Sequence, residues 1–568
     1  MNQQDHPDSQ IDRTRIDGGF SFAVAAFALG LGLLTILERI GLPDKVLRIG
    51  VIALIFAGLV ITVVFLRTMR PMDYYAGGRR LPATYAGLAF AGVAFGVFLP
   101  FLPPSSLGIG LDSAGVGFGI GCLWALFATG PILRRSGAYS FGDLIASRFP
   151  HLLVRVPIVL VMGFCAGCIA LGGDEIALRG LIAATGVNRA LGAPIVAGLL
   201  ILLIVPAGLS GVVWTAAAAT VVTTLALILP LGRDLLSGAP MAFPIFGDQA
   251  VWTQAVAHFA VLTDASRQTA FRPGLVVAIG LGVATLAPLF GATIATRDEG
   301  AAWRSGLIGM IWLALGTLLM AATIAGATLA LQNAVGDRPP AALPRAILAA
   351  SAQGDIALCG VHSSDPVVLD LACRANTGSD QPRPAWQHMR TNARYLLRSL
   401  PFLRGSEPTL TRLAAAFMIV LGIATAAAGI QCLATALSHD ILHPRRQQFA
   451  VVSRRLAITR LLTIAASILV SLWLARHSVD VPVLFTFALM LSAALVAPLL
   501  VLALMPQPTS IGALAALCLA TFVTAHFALF GTMTTSADEF AANAIFAAVD
   551  GIAVGLFVTF LPKRKNAS

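Results

Sequence analysis

The chain has 568 residues, 57% hydrophobic and only 11% charged, with a formal net charge of +11. A soluble chain carries roughly 25% charge, so this composition, with a mean hydropathy of +0.84, is that of an integral membrane protein. Long apolar stretches recur along the whole length, which excludes a soluble domain on one anchor and the short alternating segments of an outer-membrane barrel.

Residues 1–18 are polar and mixed in charge and read as a short tail. Phe20 to Leu37 is the first apolar segment; no small-residue cleavage site precedes Glu38-Arg39, so it reads as a retained helix. Val46 to Leu66 is the second span. Met72 to Pro104 then opens on a basic glycine turn, becomes almost charge-free and ends in Pro100, Pro103 and Pro104. Proline and glycine weaken the helical ladder, and lipid tolerates a break only where protein or a water-filled cavity re-satisfies the backbone. A broken span, and hence a ligand site, is the expectation here, with a buried kink as the alternative.

Gly115 to Leu133 is the fourth span, and Gly137 to Arg148 reads as a short interfacial helix capped by Ser140 with Asp143 in its first turn. Leu152 to Leu171 follows, and Gly172 to Gly180 can continue it to the far surface, which puts Asp174, Glu175 and Arg179 at a helix end. Leu191 to Val205 and Val212 to Leu229 are separated by a turn at Pro206-Ala207-Gly208. Leu275 to Ala295 is interrupted by Pro288 and Gly291, and Ser305 to Leu331 is the ninth span. Asn333 to Arg412 is the longest polar excursion and holds Cys359 and Cys373, which can pair if it lies outside the cell. Leu413 to Leu437, Leu461 to Ala475, Val483 to Leu504, Ile511 to Phe530 and Ala541 to Phe560 bring the expectation to about 14 spans. Arginines in four short connections and the basic Lys563-Arg564-Lys565 fall on one face, which places them and both termini in the cytoplasm. The charge is therefore topological, and no basic stripe interleaved with aromatics points to nucleic acid.

The span from Met72 and the span holding Pro288 start five spans apart and enter the bilayer from opposite sides. Two five-helix units of opposite orientation, each led by an interrupted helix, are the pattern of inverted-repeat secondary transporters. The expected organisation is 1–69, tail and two peripheral spans; 70–230, first repeat; 231–272, an extracytoplasmic loop; 273–504, second repeat with the long loop 333–412; and 505–568, two further spans and a basic tail. A polytopic enzyme should gather ionisable groups at one depth, yet His362, Asp365, His388, His439 and His443 sit in or near loops without a ligand cluster. There is no phosphate-cradling nucleotide motif. The expectation is gradient-driven transport, not an enzyme.

Five motifs, in order, resemble the sodium:solute symporter family, closest to its bacterial cation–acetate branch. They are the run Tyr75 to Pro82, the turn Ala138 to Leu144 with Arg148-Phe149, the entry Gly208 to Thr215, the helix end Ala436 to Asp440, and Ala497-Pro498 with Ser510 to Ala513. The resemblance implies an all-α, LeuT-like inverted five-helix-repeat fold in a bacterial inner membrane. It implies sodium bound between the first and eighth core helices, carried over to Gly92 and Phe95 of the first and to Leu421, Ala424 and Thr425 of the eighth. One member of the usual hydroxyl pair is absent at Ala424, and the acid usual after Trp214 is replaced by alanines 216–219. Sodium is a hard cation and needs oxygens, so backbone carbonyls and Thr425 must supply them; an internal packing hydroxyl is the other reading of Thr425.

The first core helix offers no polar side chain from Ala91 to Leu99. That implies a small, partly apolar substrate, with the N-terminal ends of half-helices favouring a carboxylate: a monocarboxylate such as acetate. Candidate substrate or pathway residues are Phe95, Phe98, Leu99, Pro288 and Gln431. Glu175 with Arg179, four residues apart, and Asp440 with Arg445 are the gate or salt-bridge candidates. Expected associates are a small organic anion and membrane lipid, with no cofactor beyond sodium. The alternatives are a proton-coupled carboxylate transporter, for which no acid is placed in the core, and a non-transporting sensor or partner subunit.

Overall fold

The computed structural model describes residues 7–101, 113–236, 243, 247–262, 272–336, 338–352, 354–377, 388–391, 393–404, 408–441, 449–530 and 537–560. Among them, 11 helices are long and apolar enough to cross a membrane, and one bent pair makes up to 12. Arg189–Leu236 is two limbs that meet at Gly208 (φ 58°, ψ −141°). Ser510–Phe530 is a further apolar helix, shorter in its described part. Counting both limbs and this helix gives the number of spans expected from the sequence. Pro103, Pro104, Arg445, His443 and the basic tail lie outside the described residues.

The core helices are, in order, Ala83–Phe98; Ser113–Trp124, prolonged to Ser136; Leu152–Thr185; the two limbs of Arg189–Leu236; Pro273–Thr285 with Ala287–Ile294; Glu299–Val335; Pro408–Thr435, prolonged to Asp440; Phe449–Leu474; and Val481–Leu491, prolonged to Ala503. Core one packs chiefly on core seven and core five, while core six packs on core two. Core three packs along core eight, and the four–five element packs on core nine. Exchanging one with six and two with seven maps the first of these pairings onto the second, as an inverted repeat requires. The opposite sense is visible directly: Leu81, at the start of core one, bridges Thr296, just past the end of core six.

The breaks have local causes. Gly208 adopts a positive φ that a β-carbon would strain, and a side chain there would strike Tyr74. Thr68 N–H donates to the Pro206 carbonyl at 3.0 Å, re-satisfying backbone beside that break. Core six breaks at extended Leu286 (ψ 104°), with its two limbs 51° apart. The Thr129 hydroxyl reaches the Ala284 carbonyl at 3.5 Å, and Thr285 and Ser492 share a hydroxyl bond at 2.9 Å. Thr129 and Ser492 belong to π-turns, Ala125–Thr129 and Ser492–Val496. These local bulges bring hydroxyls to the freed backbone.

Two expectations are corrected. Core one is an unbroken α-helix from Ala83 to Phe98 and departs only into the 3₁₀ turn Leu99–Phe101. Its glycines serve close approach rather than interruption. Core three continues through Gly172 to Gly180 as far as Thr185, so Asp174 and Glu175, expected at a helix end, are buried in its interior. The Gly172-Gly173 pair lets Phe485 and the backbone of Ala426 come close.

The excursion after core seven holds helices Arg345–Ala352, Pro366–Thr377 and Ala393–Leu403 and a two-stranded antiparallel sheet, Ile356–Leu358 with Met389–Thr391. Cys359 and Cys373 form a disulfide that ties this sheet to the helix Pro366–Thr377. Large apolar side chains such as Phe22 and Phe65 lie 75% and 81% exposed on the two outer helices Pro7–Arg39 and Asp44–Leu66, where lipid would cover them.

Candidate functional site

Four of the sequence motifs, drawn from across some 360 residues of chain, meet at one end of the bundle. Arg79 donates to the Gly137 carbonyl and lies 5.2 Å from the centre of the Tyr139 ring. Ser210 donates to the Asp73 carbonyl at 3.1 Å, tying the core-five entry to the segment before core one. Tyr75 and Ser438 both bond Thr459, at 2.5 and 2.6 Å, and His439 lies between the Tyr75 and Tyr139 rings. Ser140, which caps its helix by accepting from Asp143 N–H at 2.9 Å, donates to the Asp440 carboxylate at 2.7 Å. The Asp440 carbonyl accepts from Arg155 at 2.7 Å. Asp440 thus has the local partners its position at a helix C-terminus demands, and they are Ser140 and Arg155; Arg445 lies outside the described residues.

Beside this cluster lies a small, partly open cavity of about 50 Å³, room for a few waters or a very small ligand. Core one contributes Ala89 and Val93, core five Val212 and Ala216, the broken core six Pro288, and core eight Gln431. Most of the wall is apolar. Gln431 is 3% exposed; its amide nitrogen donates to the Tyr74 carbonyl at 3.5 Å and its amide oxygen has no hydrogen-bond partner among the described residues. A buried acceptor left open is costly, so Gln431 is poised for a ligand or water.

The cavity therefore takes in Pro288 and Gln431 from the candidate list and leaves out Phe95, Phe98 and Leu99. Phe95 packs its ring against Gly316 of core seven, Phe98 packs on Phe118 with centroids 4.9 Å apart, and Leu99 is buried. The helical repeat is the reason. In an unbroken core one, Ala89, Val93 and Gly96 form one stripe toward core eight and the cavity, while Gly92 and Phe95 point elsewhere.

The same stripe revises the ion-site positions. Gly92 is pressed against the Ala216 backbone and the Thr220 hydroxyl, which caps the Leu88 carbonyl at 2.7 Å. It is Gly96 that receives Thr425. Thr425 is fully buried and donates to the Leu421 carbonyl at 2.9 Å, and Leu421 and Ala424 are equally buried beside it. The Phe95 carbonyl accepts from Leu99 N–H inside the helix, so it is not a freed ligand. The described residues contain no group of three His, Cys, Asp or Glu able to hold a metal ion.

On core three, Glu175 and Arg179 pair at 2.6 Å as their spacing requires. The stronger partner was missed: Arg189, at the start of the four–five element, donates to both Glu175 oxygens and to the carbonyls of Leu474 and His477, at 2.5 and 2.7 Å. The available signal was a glutamate in a long apolar helix, which needs a charge partner wherever the chain can bring one. Asp174, next to it, is 1% exposed, and neither carboxylate oxygen has a hydrogen-bond partner among the described residues.

No family model matches the chain, and no curated protein matches its sequence. Among solved structures it is similar to a substrate-bound, outward-open Na⁺-coupled sialic acid symporter, with a TM-score of 0.62 and 13% identity over 90% of this chain and 97% of that one. A mutant manganese transporter of Eremococcus coleocola gives a TM-score of 0.43 at 14% identity, over 86% and 94% of the two chains. Mhp1, a nucleobase-cation-symport-1 family transporter in a closed conformation with bromovinylhydantoin bound, gives 0.41 at 12%, over 87% and 93%. The first likeness shows the fold: an inverted-repeat, polytopic all-α architecture shared with that symporter.

Proposed function

We propose that the chain is a cation-coupled symporter of a small monocarboxylate such as acetate, with sodium as the coupling ion, in a bacterial cytoplasmic membrane. The carrying observation is the cavity at the broken core six, walled mainly by apolar groups and offering the Gln431 amide as its open polar contact. A sugar-sized polyol would leave several hydroxyls unpaired against such a wall, at a cost for each. A short acid needs few partners, and the half-helix beginning at Ala287 lends its N-terminal dipole to a carboxylate.

The proposed ion position lies between Gly96 and the Leu421, Ala424 and Thr425 turn of core eight. One hydroxyl and backbone carbonyls would supply the oxygens. In this conformation the Thr425 hydroxyl is spent on Leu421, so sodium binding would exchange that bond for a metal contact.

The test is uptake of labelled acetate into vesicles containing the purified chain, with an inward sodium gradient. Sodium-dependent accumulation is expected, and Thr425→Ala should weaken that dependence with exchange still measurable. Accumulation indifferent to sodium would remove the sodium assignment, and absence of any acetate exchange would remove the substrate. Proton coupling is the second reading. It is favoured by one observation that the sequence had placed elsewhere: a carboxyl, Asp174, within the core.

A further inference from the structure

We infer that Asp174 is a proton-binding site of the transport cycle, neutral in the conformation seen here and ionised when the helices around it rearrange. Its coupling role rests on the symport reading above; its protonation does not.

Asp174 sits on core three one residue beyond Gly173, whose backbone is pressed against Ala426 of core eight. It is 1% exposed, and both its oxygens lack a hydrogen-bond partner among the described residues. An ionised carboxylate in such a place carries the full penalty of an unpaired buried charge, whereas a neutral acid loses only its hydrogen bonds to water. Polar groups inside membrane helices are rare, and where they persist they mark ion and proton pathways.

The neighbouring charges do not supply a counter-ion. Glu175 and Arg189 are the charged groups whose fields reach Asp174. Arg189 has its guanidinium committed to Glu175 and to the carbonyls of Leu474 and His477, and Arg179 is likewise held by Glu175. Core eight carries its charged groups near its ends, Arg412 at one and Asp440 with His439 at the other. Core nine has Arg454, Arg455 and Arg460 in its first half, and core ten has Asp480 at its N-cap. The remaining charged residues of the short helix Phe141–Arg148, Asp143 and Arg148, lie beyond the opposite end of core three.

Glu175 and Asp174 are thus adjacent carboxyls with opposite roles. Glu175 is fixed as a charged strut between three elements, while Asp174 has no bond that holds it charged. Ionisation releases one proton to water and leaves a carboxylate, which becomes tolerable only when motion of core three against core eight admits water or a cation. The cavity is lined by Tyr75 and Tyr139, which belong to the cluster at the other end of core three from Asp174. A carboxyl kept neutral in one conformation and charged in another is what a proton-linked alternating cycle requires.

The experiment uses the full chain in lipid vesicles. Infrared spectra taken from mildly acidic to alkaline pH should contain the carbonyl stretch of a neutral carboxylic acid, and Asp174→Asn, eluting and unfolding like the parent protein, should lose it. Dicyclohexylcarbodiimide, which modifies neutral carboxyls in apolar surroundings, should label Asp174 and spare Glu175 in the unaltered chain. This second readout stands even if the variant does not fold. An unchanged carbonyl band in Asp174→Asn, or labelling of Glu175 in place of Asp174, would overturn the proton site. For coupling, the probe is labelled acetate with sodium equal on both sides and the uptake of protein-free vesicles subtracted: a pH gradient should drive accumulation by the parent protein and not by Asp174→Asn. Equal accumulation by both overturns the coupling role. If the parent protein exchanges no acetate at all, the substrate reading falls, and the spectroscopic and labelling results still decide the proton site.

Discussion

Arg189 shows how one side chain can join three helices. It binds both oxygens of a fully buried glutamate on core three and caps carbonyls at the end of core nine. Removing one partner of a buried ion pair leaves an uncompensated charge. Arg189→Met should therefore destabilise the protein by about 3 kcal/mol, the lower end of the usual range because Arg179 remains; thermal unfolding in detergent followed by tryptophan fluorescence measures it. Arg189→Lys should recover only part, since an ammonium lacks the planar fork that serves four acceptors. Tyr74, outside the spanning helices, offers a pH test. It is fully buried beside Arg460, and burial pushes its phenol from 10.0 up to about 12. The folded state holds this proton more tightly than the unfolded chain does, so the contribution is complete below pH 10 and is lost as pH rises toward 12. The loss should be of order 2–3 kcal/mol, and Tyr74→Phe should flatten the alkaline limb of the stability profile by that amount.

Among the helices, the contact between core one and core eight is set by a residue without a side chain. Gly96 faces Thr425 so closely that a β-carbon would overlap the hydroxyl. Gly96→Ala should cost about 1–3 kcal/mol through overpacking. Because the closest clash is with the Thr425 hydroxyl, Thr425→Ala should relieve much of it. The double variant should be less destabilised than the sum of the singles, and strict additivity would show that the two helices do not meet there. The unbroken core one and the broken core six make the two repeats unequal: the interrupted backbone and its hydroxyl partners from cores two and ten are concentrated on one side of the pseudo-symmetry. Ligand polarity is correspondingly expected from core six and Gln431 rather than from core one.

Across the whole molecule, the paired contacts one–seven and six–two, with three–eight and four–nine, describe an architecture whose two halves exchange under inversion. The motif cluster at Tyr75, Tyr139 and Asp440 closes one end, and the cavity lies beside it. The symport proposed above requires ion and substrate sites that are linked reciprocally. Acetate affinity should accordingly rise with sodium, and sodium affinity with acetate, in equilibrium binding to the purified chain. An acetate affinity constant across sodium concentrations would show that the two do not share a coupled site.

Much of this was legible in the residues alone. Long apolar runs between arginine-bearing turns determine membrane crossings because lipid leaves the backbone no other partner. Pro288 in core six and Gly208 between cores four and five marked real breaks because each disrupts helical geometry locally. Ser140 was legible as a cap because its bond closes within three residues. Other features depended on which face of a helix meets which neighbour. The glycines of core one signalled a break from composition and proved to be contact surfaces, which only packing against Ala216 and Thr425 distinguishes. Glu175 finds Arg189 only after the chain has turned back, and Asp174 is an unpartnered acid only because the surrounding helices exclude water. Sequence determined where the chain enters and leaves the bilayer, through short-range backbone chemistry. Tertiary structure decided which polar groups are satisfied and which are left open, because that depends on contacts between distant segments.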